Sequence, residues 1–278
     1  MDDFVQATSL EPIGDGRFRA ELRQDWALWG PAGGYLCALA LRAAGSVTTH
    51  PRPVSFACQY LSMGRFEPVD LVVTSLREGR RTQALRVDMV QGDRQLLAAQ
   101  VWAAETGGDG LVHDAARIAP VADPLRLPTF AEQNPGFGNH PFMARMDQRP
   151  LDGPIAERST AEDPELHSLF RFMPRAVADD DFADAARAML VLDTFSWLAS
   201  GPAHPGPEMG EWIAPNLDFH FRFHRSMRTH EWLNMTMRAP LADAGLITAE
   251  GTVHGLDGSL LASGASQLLC APRPERFR

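Results

Sequence analysis

Three observations predict an α+β chain made of two copies of one plan, each an antiparallel sheet wrapped around a central helix. The sequence matches itself at a fixed offset, each copy reads as an apolar helix followed by alternating runs, and turn residues punctuate those runs. Setting Ser62-Met63 against Ser226-Met227 fixes the offset at 164 residues (226 minus 62). In that register Glu67 faces Glu231, Asp93 faces Asp257, and Leu96-Leu97-Ala98 faces Leu260-Leu261-Ala262 without a gap.

In the first copy, residues 35–44 (YLCALALRAA) predict a helix that is apolar nearly all round and therefore buried; Gly33-Gly34 precede it and Gly45 is expected to stop it. Strands are expected at 54–61, 69–77, 83–90 and 96–104. The third alternates, with Leu85, Val87 and Met89 on one face and Arg86 and Asp88 on the other. Turns fall at Glu78-Gly79 and Gly92-Asp93. In the second copy the helix is expected at 182–199, with Asp179, Asp180 and Asp181 offering N-caps and Gly201-Pro202 ending it. Its strands are expected at 216–224, 231–239, 246–254 and 260–269. The domains are then 1–105 and 179–278. Residues 106–178, rich in Pro, Gly and charge, read as a linker with local helix near 165–172.

Composition removes several function classes. The 26 basic residues are all arginine, so no Schiff base, pyridoxal anchor or phosphate-loop lysine is available. A net charge of −9 argues against a nucleic-acid binder. Cys37, Cys58 and Cys270 are odd in number and set in apolar sequence, which fits reduced thiols of a cytoplasmic protein better than disulfides or a zinc site. No run of 18 apolar residues occurs and the first residues are acidic, so neither a membrane span nor a signal peptide is expected.

Familiar catalytic signatures are missing: no G-x-S-x-G, no C-x-x-C, no G-x-G-x-x-G, and His230-Glu231 lacks a second zincin histidine. His220 and His224 are about 13 Å apart along an extended strand, too far to share one ion. No metal or cofactor is expected. The strand 217–224 places Leu217, Phe219, Phe221 and Phe223 on one face and Asp218, His220, Arg222 and His224 on the other. Asp218 reads equally as a solvated carboxylate or a functional one. Gln267, in the apolar run 265–269, is either an edge side chain facing water or an amide in a polar cleft.

Five segments carry a resemblance: W-G-P-A-G-G-Y at 29–35, R-P-V-S-F-A-C-Q-Y-L at 52–61, L-D-F-H-F-R-F-H-R at 217–225, E-W-L at 231–233 and D-G-S-L-L-A-S-G-A-S-Q at 257–267. In these the chain resembles the acyl-CoA thioesterase II family, whose members fold as two hot-dog domains in one polypeptide. The resemblance implies hydrolysis of an acyl-CoA to a free acid and CoA, by a water held by an Asp, a Ser or Thr, and a Gln. Asp218 and Gln267 match the Asp and the Gln. The Ser/Thr position falls on Ala239 or Pro240, which have no hydroxyl, leaving Thr236 and Thr248 as candidates. Gly34 and Tyr35, opening the first helix, read equally as donors of N–H groups to an oxyanion or, through the Gly33-Gly34 pair, as a device for close packing and a tight entry. Arg77, Arg80 and Arg81, clustered around a turn, read either as solvated surface charge, which is favoured, or, with Arg80 and Arg81 foremost, as the groups that meet the CoA phosphates in the absence of lysine. Phe56, Tyr60, Phe66, Phe195 and Trp197 read either as an acyl tunnel or as plain core, with core favoured. The resemblance also implies a homodimer. Two other readings stand beside hydrolysis: a non-catalytic acyl-CoA or fatty-acyl binding protein that kept the pocket, and a hot-dog hydratase, disfavoured because residues 1–49 hold no histidine.

Overall fold

The computed structural model describes residues 2–135, 140–154, 164–204 and 207–275. Its strands are β1 (Glu11–Gly14), β2 (Arg17–Glu21), β3 (Arg52–Tyr60), β4 (Pro68–Glu78), β5 (Thr82–Gln91), β6 (Arg94–Ala104), β7 (Met146–Pro150), β8 (Glu165–Phe172), β9 (Trp212–Ile213), β10 (Asp218–Phe223), β11 (Trp232–Asp243), β12 (Leu246–His254), β13 (Leu260–Leu269) and β14 (Ala271–Pro272). Twelve of them form one antiparallel sheet in the order β1-β2-β4-β5-β6-β3-β10-β13-β12-β11-β8-β7, and β9 pairs with β14 apart from it. Its helices are α1 (Phe4–Ala7), α2 (Gly33–Val47), α3 (Phe130–Gln133) and α4 (Asp181–Phe195).

The repeat is structural. β4 and β11 begin 164 residues apart (232 minus 68), and β5 and β12 likewise (246 minus 82). The helices are offset by only 148 (181 minus 33), because an insertion holding β9 separates α4 from β10. Each half is a hot dog: a strand hairpin, a central helix, then four more strands. The halves meet where β3 pairs with β10, in register from Arg222↔Ser55 to Asp218↔Gln59, so one sheet runs across the whole chain.

The joining segment is not a structureless linker. Residues 165–172, expected as helix, form β8, which pairs with β7 on one side and β11 on the other. In ELHSLFRF, Leu166, Ser168, Phe170 and Phe172 are buried while Glu165, His167 and Arg171 are more open, a period of two broken at buried Leu169. The leading hairpin β1–β2 of the first half was likewise not anticipated.

Helix α2 runs past Gly45 to Val47, where a stop was expected. The reason lies on the neighbouring helix: a Cβ at Gly45 stands 2.6 Å from the Phe182 ring, so glycine serves close packing there. At the other end, a Cβ at Gly34 stands 2.6 Å from Leu190 Cα. The start of α2 therefore lies on the end of α4 and the reverse, an antiparallel pair in contact through backbone. Both helices are buried along nearly their whole length, as continuous apolar sequence requires. Helix α4 starts after the Asp180 cap, whose carboxylate takes the N–H groups of Phe182 and Ala183, and it ends at Phe195, short of the expected 199.

Candidate active site

The site is built on a one-residue irregularity between β10 and β13. His220 pairs with Ala265, while Asn216 pairs with Leu268, so four steps along β10 answer three along β13. The extra residue is a β-bulge, which turns successive side chains to faces that simple alternation forbids. Asn216 points to the helices. Asp218 lies on the opposite face with exposed His220 and Arg222, while Phe219, Phe221 and Phe223 fill the core.

The bulge removes the usual carbonyl partner of the Gln267 N–H, and the Asp218 carboxylate takes its place at 2.9 Å (Oδ1). Gln267 stands opposite Thr248 on β12, and the Thr248 hydroxyl donates to its Oε1 at 3.2 Å. Asp218, Gln267 and Thr248 are thus one cluster. Asp218 Oδ2 and Gln267 Nε2 take no hydrogen bond among the described residues and are left for a ligand. Thr236 is not part of the cluster: it pairs with Thr252 and His167. Ala239 and Pro240 lie in a second irregularity, between Arg238 and Leu241 of β11, opposite the segment 248–250 of β12. The hydroxyl bonded to the Gln267 side chain therefore comes from the adjacent strand β12.

On the inner face, the start of α2 is already occupied. Its N-cap, Ala32, supplies no side-chain bond, and the Gly34 N–H donates instead to Asp193 Oδ2 of α4 at 2.5 Å. The Tyr35 N–H donates to the Ala32 carbonyl at 3.1 Å. Both N–H groups expected to serve an oxyanion are engaged within the chain, and Gly33-Gly34 makes room for Asp193: a Cβ at Gly33 stands 2.8 Å from its carboxylate. The Tyr35 side chain is a buried pin, its hydroxyl donating to the Ala7 and Glu21 carbonyls, and burial pushes it up to about 12.

Asp193 is the residue that reading the sequence missed. It is buried, and it accepts from Tyr60 Oη (2.6 Å) and Asn216 Nδ2 (2.7 Å) as well as from Gly34. Burial raises its carboxyl to about 6, against the pull of these three donors. Asn216 Oδ1 accepts in turn from Ser196 (3.0 Å) and Ser266 (2.7 Å). The available signal was a carboxylate near the end of the apolar helix run AARAMLVLDTF, where a charge has to find partners.

Arg80 and Arg81 do not join the site. They are exposed in the β4–β5 turn, at the end of the sheet where β3 begins, whereas Asp218 lies beside Gln59 near the end of β3. The seven residue steps from Arg52 to Gln59 alone span about 23 Å. Of the aromatic residues proposed for a tunnel, Phe56 and Phe195 are core: their rings lie 6.0 Å from Phe221 and 4.7 Å from Phe170. Two small hollows are lined by Arg52, Asp184 and Met227 and by Phe130, Phe195 and Met235. Neither touches Asp218 or Gln267, which stand on an open sheet face. His224 is bonded to Ser263 (3.0 Å) and His220 is exposed. All three cysteines are free, with Cys37 and Cys58 buried.

A continuous sheet that cradles two antiparallel helices defines a double hot dog, and solved structures share it. A conserved protein of unknown function with a hot dog fold from Alicyclobacillus acidocaldarius is 20% identical, covering 98% of both chains with a TM-score of 0.82. A tesB protein of Mycobacterium avium subs paratuberculosis is 20% identical over 97% of this chain and 98% of its own, with a TM-score of 0.78. An acyl-CoA thioesterase II of Mycobacterium marinum is 18% identical over the same shares, also at 0.78. No curated protein sequence matches the chain. The acyl-CoA thioesterase N-terminal domain family matches residues 22–104 and the C-terminal domain family residues 118–270. The chain belongs to the acyl-CoA thioesterase family and is a thioester hydrolase.

Proposed function

We propose that the protein hydrolyses an acyl-CoA thioester to a free acid and CoA with a water activated by Asp218 and oriented by Gln267. The observation that carries this reading is the joined Asp218, Gln267 and Thr248 cluster, which leaves one carboxylate oxygen and one amide nitrogen turned to a ligand. Asp218 Oδ2 accepts a proton from water as the water oxygen bonds to the thioester carbon. Gln267 Nε2 donates to the oxygen that becomes negative, and Thr248 fixes the amide's direction. The tetrahedral intermediate then expels the CoA sulfur, which takes the proton from Asp218. Thr248 fills the hydroxyl role that the family pattern places at Ala239 or Pro240. No covalent acyl-enzyme is required.

Two further parts of this reading follow. Water must be excluded from an open sheet face for these groups to act strongly, which supports a homodimer that covers it; light scattering should give two chains per particle. Free thiols and a CoA substrate support a cytoplasmic location. Among the described residues no helix is long and apolar enough to cross a membrane.

The test is thiol release from a panel of acyl-CoAs. Wild type is expected to turn over at least one of them, and Asp218→Asn to lose about 10²–10⁴-fold in kcat. Full activity in Asp218→Asn sinks the mechanism, and tight acyl-CoA binding by wild type without thiol release points to a binding protein instead.

A further inference from the structure

The open face of the sheet changes character on either side of Asp218. Directly opposed residues share a face, so the strand register reads it row by row. One row holds Asp88, Ala98, Gln59 and Asp218, next to the bulge at Leu217 and to Gln267. Four steps back along β3, another row holds Arg77, Ala84, Trp102, Ser55 and Arg222, on β4, β5, β6, β3 and β10 in turn. Trp102 is 37% exposed, and its neighbours Ala84 and Ser55 are too small to cover it. Arg77 and Arg222 each lie two strands from it, about 10 Å to either side. Both are exposed, and neither guanidinium has a carboxylate partner among the described residues. The row between differs, because its Arg86 is bonded at two points to Asp88 and its charge is already answered. In the other direction from Asp218 the exposed side chains are leucines: Leu61, Leu241 opposite Thr248, and Leu246 opposite Leu269.

We propose that Trp102, Arg77 and Arg222 form a platform for the nucleotide end of the acyl-CoA, with adenine stacked on the indole, phosphates met by the two arginines, and the acyl chain laid over the leucines. The orientation rests on the reading of Asp218 as the base; the platform rests on the row itself. An indole lying open on a sheet presents a flat apolar face, and a purine is a flat group that covers it. Stacking alone accepts any aromatic ligand. Two unanswered guanidinium groups on opposite sides of the ring select a ligand with anions on both sides, and in a chain of net charge −9 they are a local exception. The nucleotide of CoA has that form, with a 3′-phosphate and a 5′-diphosphate leaving the ribose at different points. Length agrees with charge. From Ser55 to Gln59 the strand rises about 13 Å, a distance of the order that an extended phosphopantetheine arm sets between diphosphate and thioester. Between the two ends Ala57 and Ala265 flank His220, so small side chains leave a track for that arm. The leucines beyond receive the part of the substrate that has no polar group.

The experiment compares hydrolysis of an acyl-CoA with that of the same acyl thioester of pantetheine, which lacks the nucleotide, in wild type, Trp102→Ala, Trp102→Phe, Arg77→Ala, Arg222→Ala and Asp218→Asn. Trp102→Ala is expected to raise KM for the acyl-CoA roughly 5–100-fold with kcat within about twofold, since it removes binding remote from the reacting carbon. Trp102→Phe, which keeps a ring, should recover KM to within about threefold of wild type. Each arginine variant should raise KM about 3–5-fold, by less as salt is added. None of these losses is expected on the pantetheine thioester. Calorimetry with adenosine 3′,5′-bisphosphate checks the platform without turnover: wild type should bind it and Trp102→Ala should not. A wild-type KM in Trp102→Ala and Arg222→Ala beside an inactive Asp218→Asn overturns the platform and leaves the hydrolytic reading intact. Equal losses on both substrates, with light scattering showing two chains reduced to one, overturn it in favour of a second copy on this face. An active Asp218→Asn with bisphosphate binding lost in Trp102→Ala overturns the hydrolytic mechanism and supports the platform.

Discussion

Asp193 shows how one side chain couples stability to pH in this fold. Its carboxyl is raised by burial from an ordinary value of 3.8 to about 6. Between these two values the native chain holds a proton that the unfolded chain has released. The stabilising contribution is therefore complete below pH 3.8 and lost as pH rises through 6. A shift of this size corresponds to about 3 kcal/mol. Urea unfolding of wild type and Asp193→Asn at pH 4 and pH 7 should show the difference between them changing by that amount, with wild type gaining at the acid end; a constant difference contradicts the assignment. Asp218 and Gln267 could be singled out by the resemblance of the segments around them, whereas alternation alone left each equally readable as a surface side chain. Asp193 could not, since nothing along the chain records that Gly34, Tyr60 and Asn216 converge on it from 159, 133 and 23 residues away.

At the scale of elements, the packing of α2 on α4 depends on glycine more than on apolar bulk. Gly34 needs no unusual backbone angle, so alanine is acceptable to the helix itself; its Cβ would stand 2.6 Å from Leu190 Cα and 2.7 Å from the Met189 carbonyl, both backbone. Gly34→Ala should therefore cost about 1–3 kcal/mol through forced separation of the helices, measured by thermal or denaturant unfolding. Unchanged stability would mean that the helices are not so closely apposed. The strand periods of β4 to β6 and β11 to β13 are legible because both halves alternate in register at one offset. Strand β8 was hidden because ELHSLFRF also has apolar residues at helical spacings, and only pairing with β11 selects the extended form. The bulge at Leu217 was invisible for the same reason: strand sequence records alternation, while register is a property of two strands.

For the whole molecule, the seam between β3 and β10 and the contact of α2 with α4 make the two halves one cooperative body. A fragment of residues 1–105 would expose the free edge of β3 and the face of α2 that α4 covers, and it is expected to aggregate or remain unfolded. The intact chain should unfold in a single calorimetric transition; two well-separated transitions would show that the halves are independent. The amino-acid sequence by itself determined the helix-plus-sheet plan, its duplication, the class of residues available for chemistry and the candidates Asp218 and Gln267, because local alternation, turn residues and composition are written along the chain. The tertiary structure alone decided that Thr248 bonds Gln267, that Gly34 and Tyr35 have no free N–H to offer, that Arg80 and Arg81 stand apart, and that Asp193 ties the halves together. These are relations between residues far apart in sequence, fixed by strand register and helix contact, which only the folded chain contains.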